Sequence, residues 1–223
     1  MEITWLGHSC FRLRQDDLVV VTDPFAPSLG LSMGPVEALA VSVSHDHSNH
    51  NNISAIQGRP RVLRGPGEYE IQGIYIRGFL TPPAEDDPTD TRNTAFVLKM
   101  GGLSICHLGD IRRALPATLV AELDPLDILL VPVGGTCTLG IPQVSELIRS
   151  LGPRIVIPMH YKLPGLSLEI EPLETFLREM GIREATTQAR LVVSPSTLPE
   201  ETRIVVLEAS GQPTAAAGDQ KAS

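Results

Sequence analysis

Ser44-His45-Asp46-His47-Ser48-Asn49-His50 packs three histidines into six residues, directly after the apolar run Leu39-Ala40-Val41-Ser42-Val43. The run reads as a buried strand, so the imidazoles project from a strand end into a loop. Imidazoles gathered this closely repel one another when protonated. Neutral imidazole, in contrast, is the commonest protein ligand for transition metals. The spacing i, i+2, i+5 therefore favours a metal site over a polar loop or a satisfied core histidine. His45 and His47 can present both rings to one side, and His50, opening a short helix expected near 52–57, can face the same point.

Two other strand ends carry similar residues. His160 closes Ile157-Pro158-Met159-His160-Tyr161, and Asp110 follows Cys106-His107-Leu108-Gly109. An Asp after a Gly is also a common turn former or helix cap, so Asp110 alone decides little. Loops at strand ends are nevertheless where binding and catalytic residues concentrate.

Outward from these segments the first half reads as β-rich. Short strands are expected at Glu2 to Leu6, Cys10 to Arg14, Leu18 to Thr22, 61–64 and 69–77. Gln72-Gly73 makes one hairpin turn, and Gly101-Gly102 joins strands at Thr94 to Met100 and Leu103 to Leu108. The second half alternates. Asp127 to Val133 and Arg154 to Pro158 are continuous apolar runs, as in buried parallel strands. Between them Pro142 opens a helix, Val144, Leu147, Ile148 and Leu151 form its apolar face, and Gly152-Pro153 ends it. Pro172 to Met180 repeats that grammar, a weaker helix lies near Pro116 to Leu123, and closing strands fall at 190–194 and 202–208. The helices are too few to separate every pair of strands. This predicts an α/β chain of two sheets with helices on the outer faces.

A chain of 223 residues suits one domain, expected over 1–210. Residues 211–223 have too little apolar mass to pack and are expected to be disordered. The net charge of −8 and the lack of a basic stripe argue against a nucleic-acid partner. There is no apolar run of roughly 18 residues, so no membrane span is expected, and the N-terminus does not read as a signal peptide. Cys10, Cys106 and Cys137 form no C-x-x-C pair and are odd in number, which fits a reducing cytoplasm.

The chain resembles the metallo-β-lactamase-fold hydrolases, in particular small bacterial metal-dependent hydrolases similar to ascorbate-6-phosphate lactonase. The segments that carry the resemblance are Trp5 to Phe11 (WLGHSCF), Thr22 to Phe25 (TDPF), His45 to His50, Cys106 to Asp110 (CHLGD), Val131 to Thr136 (VPVGGT) and Pro158 to Tyr161 (PMHY). The resemblance implies an αββα four-layer sandwich. It implies that His45 and His47 ligate a first metal, that His50 and His160 ligate a second, and that Asp110 bridges them. His8 and Asp23 would lie beside the site, as substrate-contacting groups or as groups orienting the ligands. His107, three residues from Asp110, is expected to pack or hydrogen-bond rather than ligate. Gly134-Gly135-Thr136 reads either as a source of backbone N–H groups for an anionic substrate or as a plain tight turn.

Two departures stand out. The motif of these hydrolases is H-x-H-x-D-H, and Asn49 occupies its Asp position; an Asn can coordinate through its carbonyl but cannot take up a proton. The histidine that such proteins usually supply before the CHLGD strand is also missing, and Glu85, Asp86 or Asp87 read either as an oxygen donor in its place or as a solvated acidic turn. With N/O donors only, zinc is the default ion, iron and manganese fit as well, and one or two ions are expected. The expected activity is metal-dependent hydrolysis of an ester, lactone or phosphodiester of a small, anionic metabolite, with Asn49, Asp110 and His8 nearest the chemistry. The alternative is a degenerate relative that binds metal or ligand without turnover.

Overall fold

The computed structural model describes residues 1–84, 92–123 and 125–214. Two sheets with the same internal logic face each other. The six-stranded sheet runs Leu191–Val192, Glu2–Gly7, Cys10–Gln15, Leu18–Thr22, Ala40–Val43, Arg61–Arg64. Its first four strands pair antiparallel, while Leu18–Thr22, Ala40–Val43 and Arg61–Arg64 are mutually parallel. The seven-stranded sheet runs Arg203–Ile204, Ile155–Met159, Ile128–Pro132, Leu103–His107, Thr94–Met100, Ile74–Leu80, Gly67–Ile71. There the four strands from Arg203–Ile204 to Leu103–His107 are parallel, and hairpins complete the sheet. Ligand crevices form outside the carboxyl ends of parallel strands, so this topology places one crevice where the parallel halves of both sheets end.

The sheets close on Trp5, Phe11 and Leu13 from one side and Phe96, Leu98 and Ile105 from the other, all buried. The central parallel strands Ile128–Pro132 and Ile155–Met159 are buried on both faces, which is why they contain no alternation. Helix α1 is Ala117–Glu122, α2 is Ile141–Leu151 and α3 is Leu173–Glu179. In α2 the expected stripe Val144, Leu147, Ile148, Leu151 is buried, and Gly152 ends the helix in the left-handed region.

The outer face of the six-stranded sheet carries a second apolar cluster, with Leu6, Val21, Phe25, Leu29, Val41 and Leu166 among its members. Loops and 3₁₀ turns cover it. The helix expected at 52–57 is instead a 3₁₀ turn, Ile53–Ala55, running into the two-residue strand Ile56–Gln57 against Val36–Glu37. Six residues are too few to offset helix nucleation, and the β-branched Ile56 finds a strand partner. At the C-terminus Gln212–Pro213 pairs with Leu31–Ser32, and Thr214 N–H donates to Gly30 O. The ordered chain thus extends past the boundary expected at 210. Residues 215–223 lie outside the described residues, as do Glu85, Asp86 and Asp87. No helix among the described residues is long and apolar enough to cross a membrane.

Candidate metal centre

Five strand ends meet at the crevice. Asp23 follows Leu18–Thr22, His45 follows Ala40–Val43, Asp110 follows Leu103–His107, His160 follows Ile155–Met159, and His8 sits in the turn between Glu2–Gly7 and Cys10–Gln15. Three of these residues have left-handed backbone: His8 at φ 51°, Asp23 at φ 39° and His160 at φ 54°. Such conformations cost of order 1–3 kcal/mol each and persist where surrounding contacts over-determine them. The contacts here are specific. His8 O accepts from Trp5 Nε1 (2.9 Å) and from His160 N–H (3.0 Å), which ties the first strand's turn to the His160 loop.

Asp110 is the hub. Its Oδ2 lies 3.2 Å from His50 Nε2 and 3.9 Å from His45 Nε2, and its Oδ1 lies 3.4 Å from His160 Nε2. His8 Nε2 is 3.2 Å from His50 Nε2, and its ring centroid is 4.2 Å from that of His160. His8, His50 and His160 bring their donor atoms within 4.8 Å of one another, and so do His45, His50 and Asp110. His8, read from sequence as lying beside the site, thus stands with His50 and His160 in a group that could hold a metal ion. His47 is exposed and belongs to neither group; its ring lies 6.0 Å from that of His45 and 6.4 Å from that of His50. The backbone N–H of the buried Asn49 donates to His47 Nδ1 at 3.3 Å.

Asp23 is fully buried and orients two rings. Its Oδ2 accepts from His50 Nδ1 (2.9 Å) and from the Ser44 hydroxyl (2.6 Å), and its Oδ1 accepts from Ser44 N–H (2.7 Å). The hydroxyl's proton is thus committed to Asp23, so its oxygen accepts from His45 Nδ1 at 3.0 Å. In their neutral form both rings then direct an unprotonated Nε2 at Asp110. His107 is also fully buried and clamps two loops: its Nε2–H donates to Ser9 O (2.8 Å), and Gly109 N–H donates to its Nδ1 (3.2 Å).

Sequence reading passed over Asn93 and Ser44. Asn93 Oδ1 accepts from Asp110 N–H at 2.9 Å, while its amide donates to Leu108 O and to Thr81 Oγ1. No local motif flags either residue. A Cβ on Gly109 (φ 56°) would lie 2.3 Å from Asn93 Oδ1 and 2.5 Å from Ser44 Cβ. Gly109→Ala is therefore expected to cost roughly 2 kcal/mol or more through backbone strain and crowding. That corresponds to a Tm drop of roughly 5 °C, read by thermal melting; an unchanged Tm would contradict the packing described. Gly134 is needed for a similar reason, since a Cβ there would meet His160 O at 2.2 Å. The Gly134-Gly135 segment thus acts as a close-packed turn behind His160.

The electrostatics follow from burial opposed by one shared carboxylate. Burial pulls His50 and His160 down, but Asp110 outweighs it, aided for His50 by Asp23 and for His160 by Cys137, and raises them to about 9 and about 10. Burial and the neighbouring imidazoles push His45 down to about 4 and His8 well below the usual range. Burial pushes Asp110 up, but the paired histidines hold it well below the ordinary carboxylate range.

Counting protons shows that these atoms fit a cation. His50 gives its Nδ1–H to Asp23, and its Nε2 lies 3.2 Å from both His8 Nε2 and Asp110 Oδ2. A proton on that nitrogen can serve only one of the two neighbours. Without it, a lone pair faces the carboxylate. Shifting ring protons does not help, because Nδ1 of His8 and of His160 find no hydrogen-bond partner among the described residues. A divalent cation accepts every lone pair at once. Metal–nitrogen bonds of about 2.0–2.1 Å in a tetrahedral set put donor atoms about 3.3 Å apart, close to the 3.2–3.4 Å separations seen here.

Comparison with known proteins gives the family and the fold. Residues 2–160 match the family model described as "Beta-lactamase superfamily domain". A "UPF0173 metal-dependent hydrolase" of Methanospirillum hungatei is 31% identical, over 72% of this chain and 83% of its own length. One from Methanoculleus marisnigri is 29% identical, over 83% and 92%. A crystal structure from Thermotoga maritima, put forward as a Zn-dependent hydrolase of the metallo-β-lactamase superfamily, superimposes with TM-score 0.77 at 35% identity, covering 92% of this chain and 97% of that one.

Proposed function

The chain belongs to the metallo-β-lactamase superfamily, among its UPF0173 metal-dependent hydrolases, and from that premise we propose that it hydrolyses an ester, lactone or phosphodiester of a small anionic metabolite. The observation that carries this reading is the convergence of His45, His50 and His160 on one buried carboxylate, Asp110, with His8 grouped beside His50 and His160. A bound divalent ion would supply Lewis acidity and lower the pKa of water near neutrality. Zinc is the leading candidate, with iron and manganese compatible with the same donors. The chain's own residues do the rest. Asp23 and Ser44 fix the tautomers of His50 and His45, Asn93 and His107 hold the Asp110 loop, and the exposed His47 stands at the open side, where a substrate enters. The WLGHSCF and CHLGD resemblance to ascorbate-6-phosphate lactonase favours a phosphorylated or lactone metabolite.

Protein purified without a histidine tag should contain metal. A strong chelator should abolish hydrolysis of a generic lactone or phosphodiester, and added zinc, iron or manganese should restore it. Metal-free protein with full activity would end this reading.

Asn49 supports a second reading, a relative that binds metal without turnover. Asn49→Asp separates the two. An active hydrolase should bind metal more tightly and turn over about 10²-fold faster or more, because aspartate can hold and deprotonate water. Tighter metal binding with no gain in rate favours the non-catalytic reading.

A further inference from the structure

The cluster contains two unlike sets of donors, His8, His50 and His160 in one and His45, His50 and Asp110 in the other, with Asp110 also reaching His160. One set is enclosed: His8 is 0% exposed, and His50 and His160 are each 1% exposed. The other faces outward, with His45 at its base and the exposed His47 beside it. Within and beside the enclosed set His8 Nε2 lies 3.2 Å from His50 Nε2, and Asp110 reaches the set with both oxygens, Oδ2 at 3.2 Å from His50 Nε2 and Oδ1 at 3.4 Å from His160 Nε2. His8 cannot be read as an ordinary buried histidine. Its Nε2 faces another imidazole nitrogen, its Nδ1 has no partner among the described residues, and its strained backbone is pinned by Trp5 and His160. In a metal-free protein a proton on His50 Nε2 can serve His8 or Asp110 but not both, so one of the two goes unserved.

We infer that His8 is a metal ligand, and that with His50, His160 and Asp110 it forms a complete four-donor inner site. Sites filled by four protein ligands hold their ion, whereas sites with fewer keep a position open for water or substrate. The inner ion is therefore the retained one, and the outer donors His45 and His47, sharing Asp110, take a second, exchangeable ion. This goes beyond the proposed hydrolysis but rests on the same metal site.

The test reads coordination rather than turnover. Wild-type protein loaded with one equivalent of zinc should show, by X-ray absorption, a four-donor shell at about 2.0 Å that includes three imidazoles; two or fewer would overturn the assignment. In competition titrations with a chromophoric chelator, His8→Ala should weaken the tight equivalent by more than about 100-fold. A loss of only about 10–100-fold, typical of an outer partner, would overturn the ligand role. His47→Ala should leave the tight equivalent intact and remove the weak one. If His8→Ala fails to fold, the wild-type imidazole count decides alone. Absence of hydrolysis would end the proposed function and leave this assignment standing.

Discussion

Asp110→Asn is expected to strip the protein of tightly held metal and, in the metal-free chain at neutral pH, to cost roughly 3–5 kcal/mol of stability, the range for removing one partner of a buried ion pair. Asp110 is 8% exposed and faces three imidazoles, two of which it holds protonated. Asparagine keeps the shape and removes the charge. In the metal-free wild type His50 and His160 are raised to about 9 and about 10. Raised histidines contribute stability that is fully present below their unfolded pKa of about 6.5 and is lost as pH climbs through the folded values. The depressed Asp110 contributes above about pH 4 and loses its contribution as pH falls through its low folded pKa. In chelator, the wild-type Tm should therefore fall between about pH 7 and about pH 10, and Asp110→Asn should flatten that limb. Equal alkaline slopes in the two proteins would refute the coupling.

Asp23→Ala should rank second. Asp23 is wholly buried and reaches His50 directly and His45 through Ser44. Its loss frees both rings to rotate or change tautomer and leaves Ser44 N–H unpaired in the interior. Metal affinity should fall about 10–100-fold, as for other partners of ligating histidines. Stability should fall by several kcal/mol, because a buried carboxylate network is broken rather than replaced. Asp23→Asn, which keeps one acceptor, should lose less on both counts. Calorimetric metal titration with urea unfolding measures both effects. Affinity within about threefold of wild type would mean that the histidines hold their orientation without Asp23.

Much of the fold was legible along the chain because its signals are local. The apolar runs 128–132 and 155–159, the Gln72-Gly73 and Gly101-Gly102 turns and the Pro142…Gly152 punctuation act within a few residues, and each element formed where the pattern placed it. The miss at 52–57 is also local in origin: a stretch of six residues, under two helical turns, is decided by which strand lies next to it.

The sequence by itself determined that His45, His50, Asp110 and His160 stand at the ends of strands, because strand and loop boundaries follow from composition and period. Only the tertiary structure decided how they meet. His8 and His50 are 42 residues apart, Asp23 and His50 are 27 apart, and Asn93 and Asp110 are 17 apart. Contacts over such separations exist only once two sheets have closed and brought their parallel ends to one crevice. No periodicity encodes them. That is why His8 reads from sequence as a neighbour of the site and in the fold stands among its donors, and why Ser44 and Asn93, which hold Asp23, His45 and Asp110 in place, carry no mark in the chain that would have singled them out.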